Sequence, residues 1–257
     1  MTVDALSTRP PRVATPHRFL VLWQSPSDRS YHRVGTLERD TEGYTFQYLP
    51  AARSTSGFEA FAGFPDPDVE YRSQELFPMF ANRVMTPRRD SYGAYVQSLG
   101  LSDARPEPFE VLARTLGTRA TDLVQLLPVP TIDAQGLLSF YFLVHGSRHV
   151  DAEAERLGRL QPGDPLYLAP ADDNEVSPVA VLVDSQPQPT RDRALGYVPD
   201  VLAPLVRALL ASGTTLRVVA EQVNLPTAGH VSDHMRLLAR IDAIAPEGFD
   251  IDAALSS

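Results

Sequence analysis

Apolar residues gather in short runs separated by turn-forming residues, the pattern of a strand-rich chain with a few helices. Arg18 to Gln24 (RFLVLWQ) predicts a strand, and RVGTLERDTEGYTFQYL predicts two more around a charged turn with Gly43 near its tip, a β-hairpin. The stretch Ala51 to Asp68 is rich in glycine and proline, and Pro65 and Pro67 deny it regular structure. Helices are predicted over Ser73 to Asn82, Arg88 to Leu99 and Pro108 to Leu116, the last opened by a proline and stopped by Gly117. TDLVQLLPVP adds a strand and a proline-marked boundary, so a linker is placed near Pro128 to Gly136.

Beyond it, LLSFYFLVHG is a buried-strand run, and three acidic residues in a first turn predict a short helix over Asp151 to Gly158. Strands follow at Leu166 to Leu168, at Val179 to Val183 and within RALGYV, with SQPQPTRDR as a surface connection. DVLAPLVRALLASG predicts a helix with Leu202, Leu205, Val206 and Leu209 on one face, Asp200 as its cap and Gly213 at its end. TTLRVVAEQV is a strand. HMRLLARIDAI is favoured as one, because Met235, Leu237, Ala239 and Ile241 alternate with His234, Arg236 and Arg240, although a helix capped by Ser232 or Asp233 is the other reading. The lead-in MTVDALSTRPPRVATP is expected to be disordered and the tail DIDAALSS to fray.

Length, 257 residues with 43% hydrophobic content, allows two domains, with boundaries at 18–128 and 136–245. No apolar run approaches the ~20 residues that cross a bilayer and no signal core is present, so a cytoplasmic protein without membrane association is expected. Cysteine is absent, which removes disulfides, thiolate zinc sites and cysteine nucleophiles together. All 23 basic residues are arginine. Residues 1–128 carry 14 arginines and 15 acidic groups, and residues 129–257 carry 9 and 17, for net charges of −1 and −8. An acidic second half binds a duplex weakly, so any nucleic-acid recognition there must come from a local pocket that stacks or clamps a strand.

The succession SFYFLVHGSRHV, GDPLYLAPADDNEVSPVAVLV and RALGYVPDVLAPLVRALL resembles the HIRAN domain, a small β-barrel module fused to DNA-remodelling helicases and also found alone in bacteria. The resemblance implies nucleic-acid binding rather than catalysis. Gly146, Arg148 and His149 stand where that family places a glycine, an arginine and an aromatic at the end of the first strand: the glycine lets a strand approach the backbone, the arginine pairs with phosphate and the ring stacks on a base. The alternative is that Arg148 and His149 are solvated turn residues. Asn174 is retained within DDNEVS and implies a contact to a base edge or terminal sugar, whereas Val176 and Ser177 replace the family's ring and carboxylate. Gly196-Tyr197-Val198-Pro199 resembles the family's strand into its helix, with Tyr197 either a ligand contact or a packing ring.

RVGTLERDTEGYTFQYL, ELFPMFANRVMTPRRDSYGAYVQSLGL and PFEVLARTLGTRATDLVQLLP resemble the N-terminal subdomain of HipA-like kinases in their order of hairpin, loop, three helices and closing strand. The kinase core that follows in that family is missing, with no phosphate-cradling glycine loop and no catalytic aspartate. The fold expected is therefore α+β, a HipA-N-like hairpin and helix module followed by a HIRAN-like small barrel.

Other chemistry is poorly supported. His230 and His234 are four apart but lack an intervening glutamate and a third ligand. HGSRH lacks the second glycine of a nucleophile elbow, and Asp172, Asp173 and Glu175 suit a solvated turn better than a cation site. No enzyme, catalytic residue, metal or cofactor is expected. The expected ligand is single-stranded nucleic acid or a strand end, contacted by Arg148, His149, Asn174, Gly146 and Tyr197. The rival expectation is a protein-interaction module whose partner is a kinase-like toxin.

Overall fold

The computed structural model describes residues 13, 15–103, 105–119, 121–146, 155–224 and 235–256. Two antiparallel sheets, with short helices between and beside them, make the α+β fold.

The first sheet has the order β4-β3-β2-β1-β5, built from β1 (Arg18–Gln24), β2 (Tyr31–Arg39), β3 (Tyr44–Tyr48), β4 (Tyr71–Ser73) and β5 (Val124–Pro128). β1 is a continuous apolar run because both its faces are covered. Phe19 and Val21 join a core with Phe46, Phe80, Phe109 and Leu112, while Leu20 and Leu22 join the core of the second half. Val21 pairs Gly35 and Leu22 pairs Arg33, so Val34 is an extra residue bulged from β2 and fully buried. A Cβ on Gly35 would stand 2.7 Å from the Phe46 ring, which is why this strand position is a glycine.

The glycine- and proline-rich loop is better ordered than its composition predicts. Pro50–Ser54 forms a 3₁₀ turn, and Phe58, Phe61 and Phe64 fold back onto Phe46 and Tyr48. The helix predicted over Ser73 to Asn82 shrinks to α1 (Pro78–Ala81), because Tyr71–Ser73 pairs with β3 and the residue before Pro78, Phe77, is held extended. α2 is Tyr92–Ser98, four residues shorter at its start than predicted, and α3 is Pro108–Thr115 with Leu116 and Gly117 both at positive φ beyond it.

The second sheet has the order β6-β11-β10-β7-β8-β9, from β6 (Leu137–Leu143), β7 (Pro165–Pro170), β8 (Val181–Asp184), β9 (Gly196–Tyr197), β10 (Leu216–Val223) and β11 (Leu237–Ile244). It curls until one antiparallel bridge, His145 to Tyr197, links its two ends. The concave side is filled by α4 (Ala203–Ala211) and by strand residues such as Phe140, Val183, Val218 and Ile241. As predicted, Leu202, Leu205, Val206 and Leu209 are buried and Gly213 follows at positive φ. Asp200 is not the cap: Leu202 holds that position without a side-chain bond, and Pro204 supplies the first-turn constraint.

Within the segment HMRLLARIDAI, Leu237–Ile244 is a strand, and both of its faces are covered. Leu237, Ala239 and Ile241 enter the barrel core, and Leu238 on the other face packs against Tyr92, Val96, Leu99 and Val111 from α2 and α3. Arg240 and Asp242 on that covered face are 4% and 0% exposed and satisfy each other at 3.2 Å. Glu221, the extra residue of a bulge in β10, accepts from Arg240 at 3.1 Å, and Ser139 donates to Asp242 at 2.7 Å. The tail also departs from expectation. It forms α5 (Ile251–Ser256), with Ala254 and Leu255 buried, Asp250 bonding the Ala253 amide and Asp252 paired with Arg18 at 2.7 Å. Burial against α4 overrides its weak local signal.

Candidate nucleic-acid interface

The site is assembled where the ends of β6 and β9 meet. His145 N–H donates to the Tyr197 carbonyl at 2.9 Å, and Tyr197 N–H donates back to the His145 carbonyl at 2.8 Å. This approach requires glycine at position 196, where φ is +146° and a Cβ would lie 2.2 Å from the His145 carbonyl oxygen. Gly146, with φ +80°, then turns the chain, and the Tyr197 ring lies over it, 3.1 Å from where a Cβ would be. Close approach of backbone to ring, rather than an open groove floor, is what this glycine permits.

Tyr197 also packs against Ala171, Ala180 and Leu182, the residues at the root of the loop between β7 and β8. That loop carries Asn174. Its Oδ1 accepts from the Val176 and Ser177 amides at 2.9 and 3.1 Å, and its own N–H donates to Ala171 at 3.0 Å, so the side chain organises the turn. The amide nitrogen is the group left to meet a ligand. Val176 at the tip is 92% exposed and touches little. Gly146, Tyr197 and the Asn174 loop are thus brought together through one small apolar cluster. Arg148 and His149 lie outside the described residues, as do His230 and His234.

The acidic turn is not a bare negative patch. Asp172 pairs with Arg207 of α4 at 2.5 Å, and Asp173 with Arg191 of the β8–β9 connection at 3.8 Å. Arg207 also donates to the Ala180 carbonyl at 3.3 Å, which ties the cation to the cluster under Tyr197. Sequence reading passed over both arginines. Arg207 carried one signal, a lone charge inside the apolar helix PLVRALL, while Arg191 sits in a loop whose partner no spacing reveals. Among the described residues no group of three histidine, aspartate or glutamate side chains is placed to hold a metal, and no helix is long and apolar enough to cross a membrane.

This is an α+β protein whose second half is a small curled barrel with a glycine-lined strand end. Residues 137–235 match the family model of the HIRAN domain. No curated protein matched the chain. Among solved structures, the chain is similar to a protein from Lactobacillus plantarum at 19% identity, TM-score 0.31, covering 42% of this chain and 97% of that one. It is also similar to the HIRAN domain of human HLTF at 14% identity and TM-score 0.30, covering 46% of this chain and 83% of that one. The N-terminal domain of HipA toxin is similar at 17% identity and TM-score 0.29, covering 47% of this chain and 95% of that one.

Proposed function

We propose that this protein is a non-catalytic binder of single-stranded nucleic acid or strand ends, acting through residues 137–235. What carries the reading is the HIRAN match over those residues, since the HIRAN domain is associated with nucleic-acid binding. The placement of an aromatic ring, a positive-φ glycine and a polar turn around one strand end supports it. Tyr197 offers the uncovered part of its ring to a base, Gly146 lets that ring sit close against the strand end, and the Asn174 amide nitrogen donates to a base edge or sugar oxygen. Arg148 and His149 complete the site in this reading as phosphate and stacking contacts. The acidic balance of this half makes binding weak and dependent on the pocket rather than on a charged surface.

Fluorescence anisotropy with short single strands bearing free or blocked ends, and with duplex as a comparison, tests the proposal. Saturable binding to single strands that Arg148→Ala weakens is the expected result. Absent binding, or equal binding by both proteins, rejects it. Capture from native lysate with and without nuclease separates a nucleic-acid ligand from a kinase-like protein partner, because only the protein partner survives nuclease.

A further inference from the structure

We propose that Arg207 and Arg191 are phosphate contacts of the strand-binding face, and that Asp172 and Asp173 occupy them in the free protein as internal competitors. This rests on the strand-binding reading above and adds to it two residues and a form of restraint. Both carboxylates belong to the β7–β8 loop, whose root supports the Tyr197 ring, and their side chains are 77% and 76% exposed. Carboxylates so exposed are well solvated and gain little from an ion pair, so these contacts break readily.

The two cations come from different elements. Arg207 is 29% exposed, and its bond to the Ala180 carbonyl keeps the guanidinium in place after Asp172 leaves. A phosphate offers two or three oxygens to the guanidinium fork, a stronger and more directional partner than one carboxylate oxygen. Arg191, 44% exposed, meets Asp173 at 3.8 Å, a loose contact that a phosphate easily replaces.

A third pair shows the contrast. Arg193 faces Asp184 at 3.7 Å, but Asp184 is 1% exposed and is fixed in β8 with its other oxygen on the Gln186 amide. Arg193 also donates to the Gln188 carbonyl at 2.8 Å. It stays committed to the fold, so it serves as the control. Restraint by the acidic loop suppresses loose association with any polyanion while leaving binding possible for a strand that also stacks on Tyr197 and displaces both carboxylates. That selectivity accounts for a binding face inside the acidic half of the chain.

The test uses the full chain and a fluorescein-labelled single-stranded DNA of about ten nucleotides, within the usual site size of such modules. Asp172→Asn/Asp173→Asn is expected to tighten binding about three- to tenfold, and Arg207→Gln/Arg191→Gln to weaken it and abolish that gain when combined. Restoring both arginines to phosphate steepens the log–log salt dependence by about 1.4, at ~0.7 per contact. Arg193→Gln leaves the slope unchanged. Binding by the asparagine variant alone, with silent wild type, also supports the proposal. Wild-type binding that the asparagine variant does not tighten, or a salt slope indifferent to the Arg207→Gln/Arg191→Gln change, overturns it. If neither wild type nor the folded asparagine variant binds, the strand-binding reading fails and this proposal with it.

Discussion

The guanidinium carbon of Arg114 lies 4.0 Å above the centre of the Tyr141 ring, joining α3 of the first half to β6 of the second. Arg114 is 5% exposed and also donates to the Leu99 carbonyl at 2.5 Å, so one side chain ties two helices to the outer face of the barrel. Leu143 and Leu238 from the barrel fill the apolar part of the same contact with Leu99 and Val111.

Arg114→Ala is expected to destabilise the fold by about 2–4 kcal/mol, since it leaves a buried carbonyl unpaired, opens a cavity and removes the cation from the ring. Urea unfolding followed by fluorescence measures this. Tyr141→Phe keeps the ring and should cost far less; equal losses in the two variants would show that the hydroxyl, not the ring, carries the contact.

Closure of the barrel makes a separate demand. Gly196→Ala places a methyl group against the His145 carbonyl, and backbone cannot yield as a flexible side chain does. Loss of about 2 kcal/mol or more is expected, from the unfavourable φ together with the clash. Hydrogen exchange should locate the damage: the His145 and Tyr197 amides, which bond one another's residues, lose protection before those of β10 and β11. Uniform loss across the sheet would mean that the bridge does not close an independent seam.

How much of this was legible follows from where burial comes from. The β2–β3 hairpin and the core face of α4 were readable because their apolar spacing follows the period of the element itself, and β1 because it is an unbroken apolar run. β11 was recognisable as a strand from its alternation, but the burial of Arg240 and Asp242 was not. Helices from far earlier in the chain pack on Leu238 of that face, and Ser139 and the Glu221 bulge partner Asp242 and Arg240, none of which local spacing encodes. The same reason explains α5, whose stability is tertiary. Gly146 and Tyr197 were named from their place in the motif, and the structure sets the ring of one against the backbone of the other. The turn-building role of the Asn174 oxygen and the pairing of Asp172 with Arg207 depend on loop geometry that spacing does not encode.

Alkaline stability depends on buried phenols. Burial, with a smaller contribution from Tyr92, pushes the Tyr95 hydroxyl up to about 12, and burial also raises Tyr31, Tyr48 and Tyr141. Unfolded chains ionise these groups near pH 10, ahead of the folded protein. The stabilisation is therefore complete below about pH 10 and lost as pH rises toward about 12. Urea midpoints measured across that window should fall, and Tyr95→Phe should make the fall shallower. An unchanged slope would remove Tyr95 as a contributor.

Tyr197 separates packing from recognition most directly. Its ring covers Gly146 on one side and the Ala171, Ala180 and Leu182 cluster on another, so a structural role and a stacking role predict different outcomes for the same change. Tyr197→Leu retains apolar contact with that cluster while deleting the aromatic face. Stacking contributes about 1–3 kcal/mol per base, so a ring that holds a base loses roughly 5- to 150-fold in affinity for single-stranded DNA on substitution. A ring that only packs leaves affinity unchanged and lowers the unfolding midpoint instead. Titrating wild type and Tyr197→Leu with one labelled strand, beside thermal unfolding of both, distinguishes the two. Because the backbone pairing of residue 197 with His145 does not depend on its side chain, the substitution should leave the barrel closed and report on the ring alone.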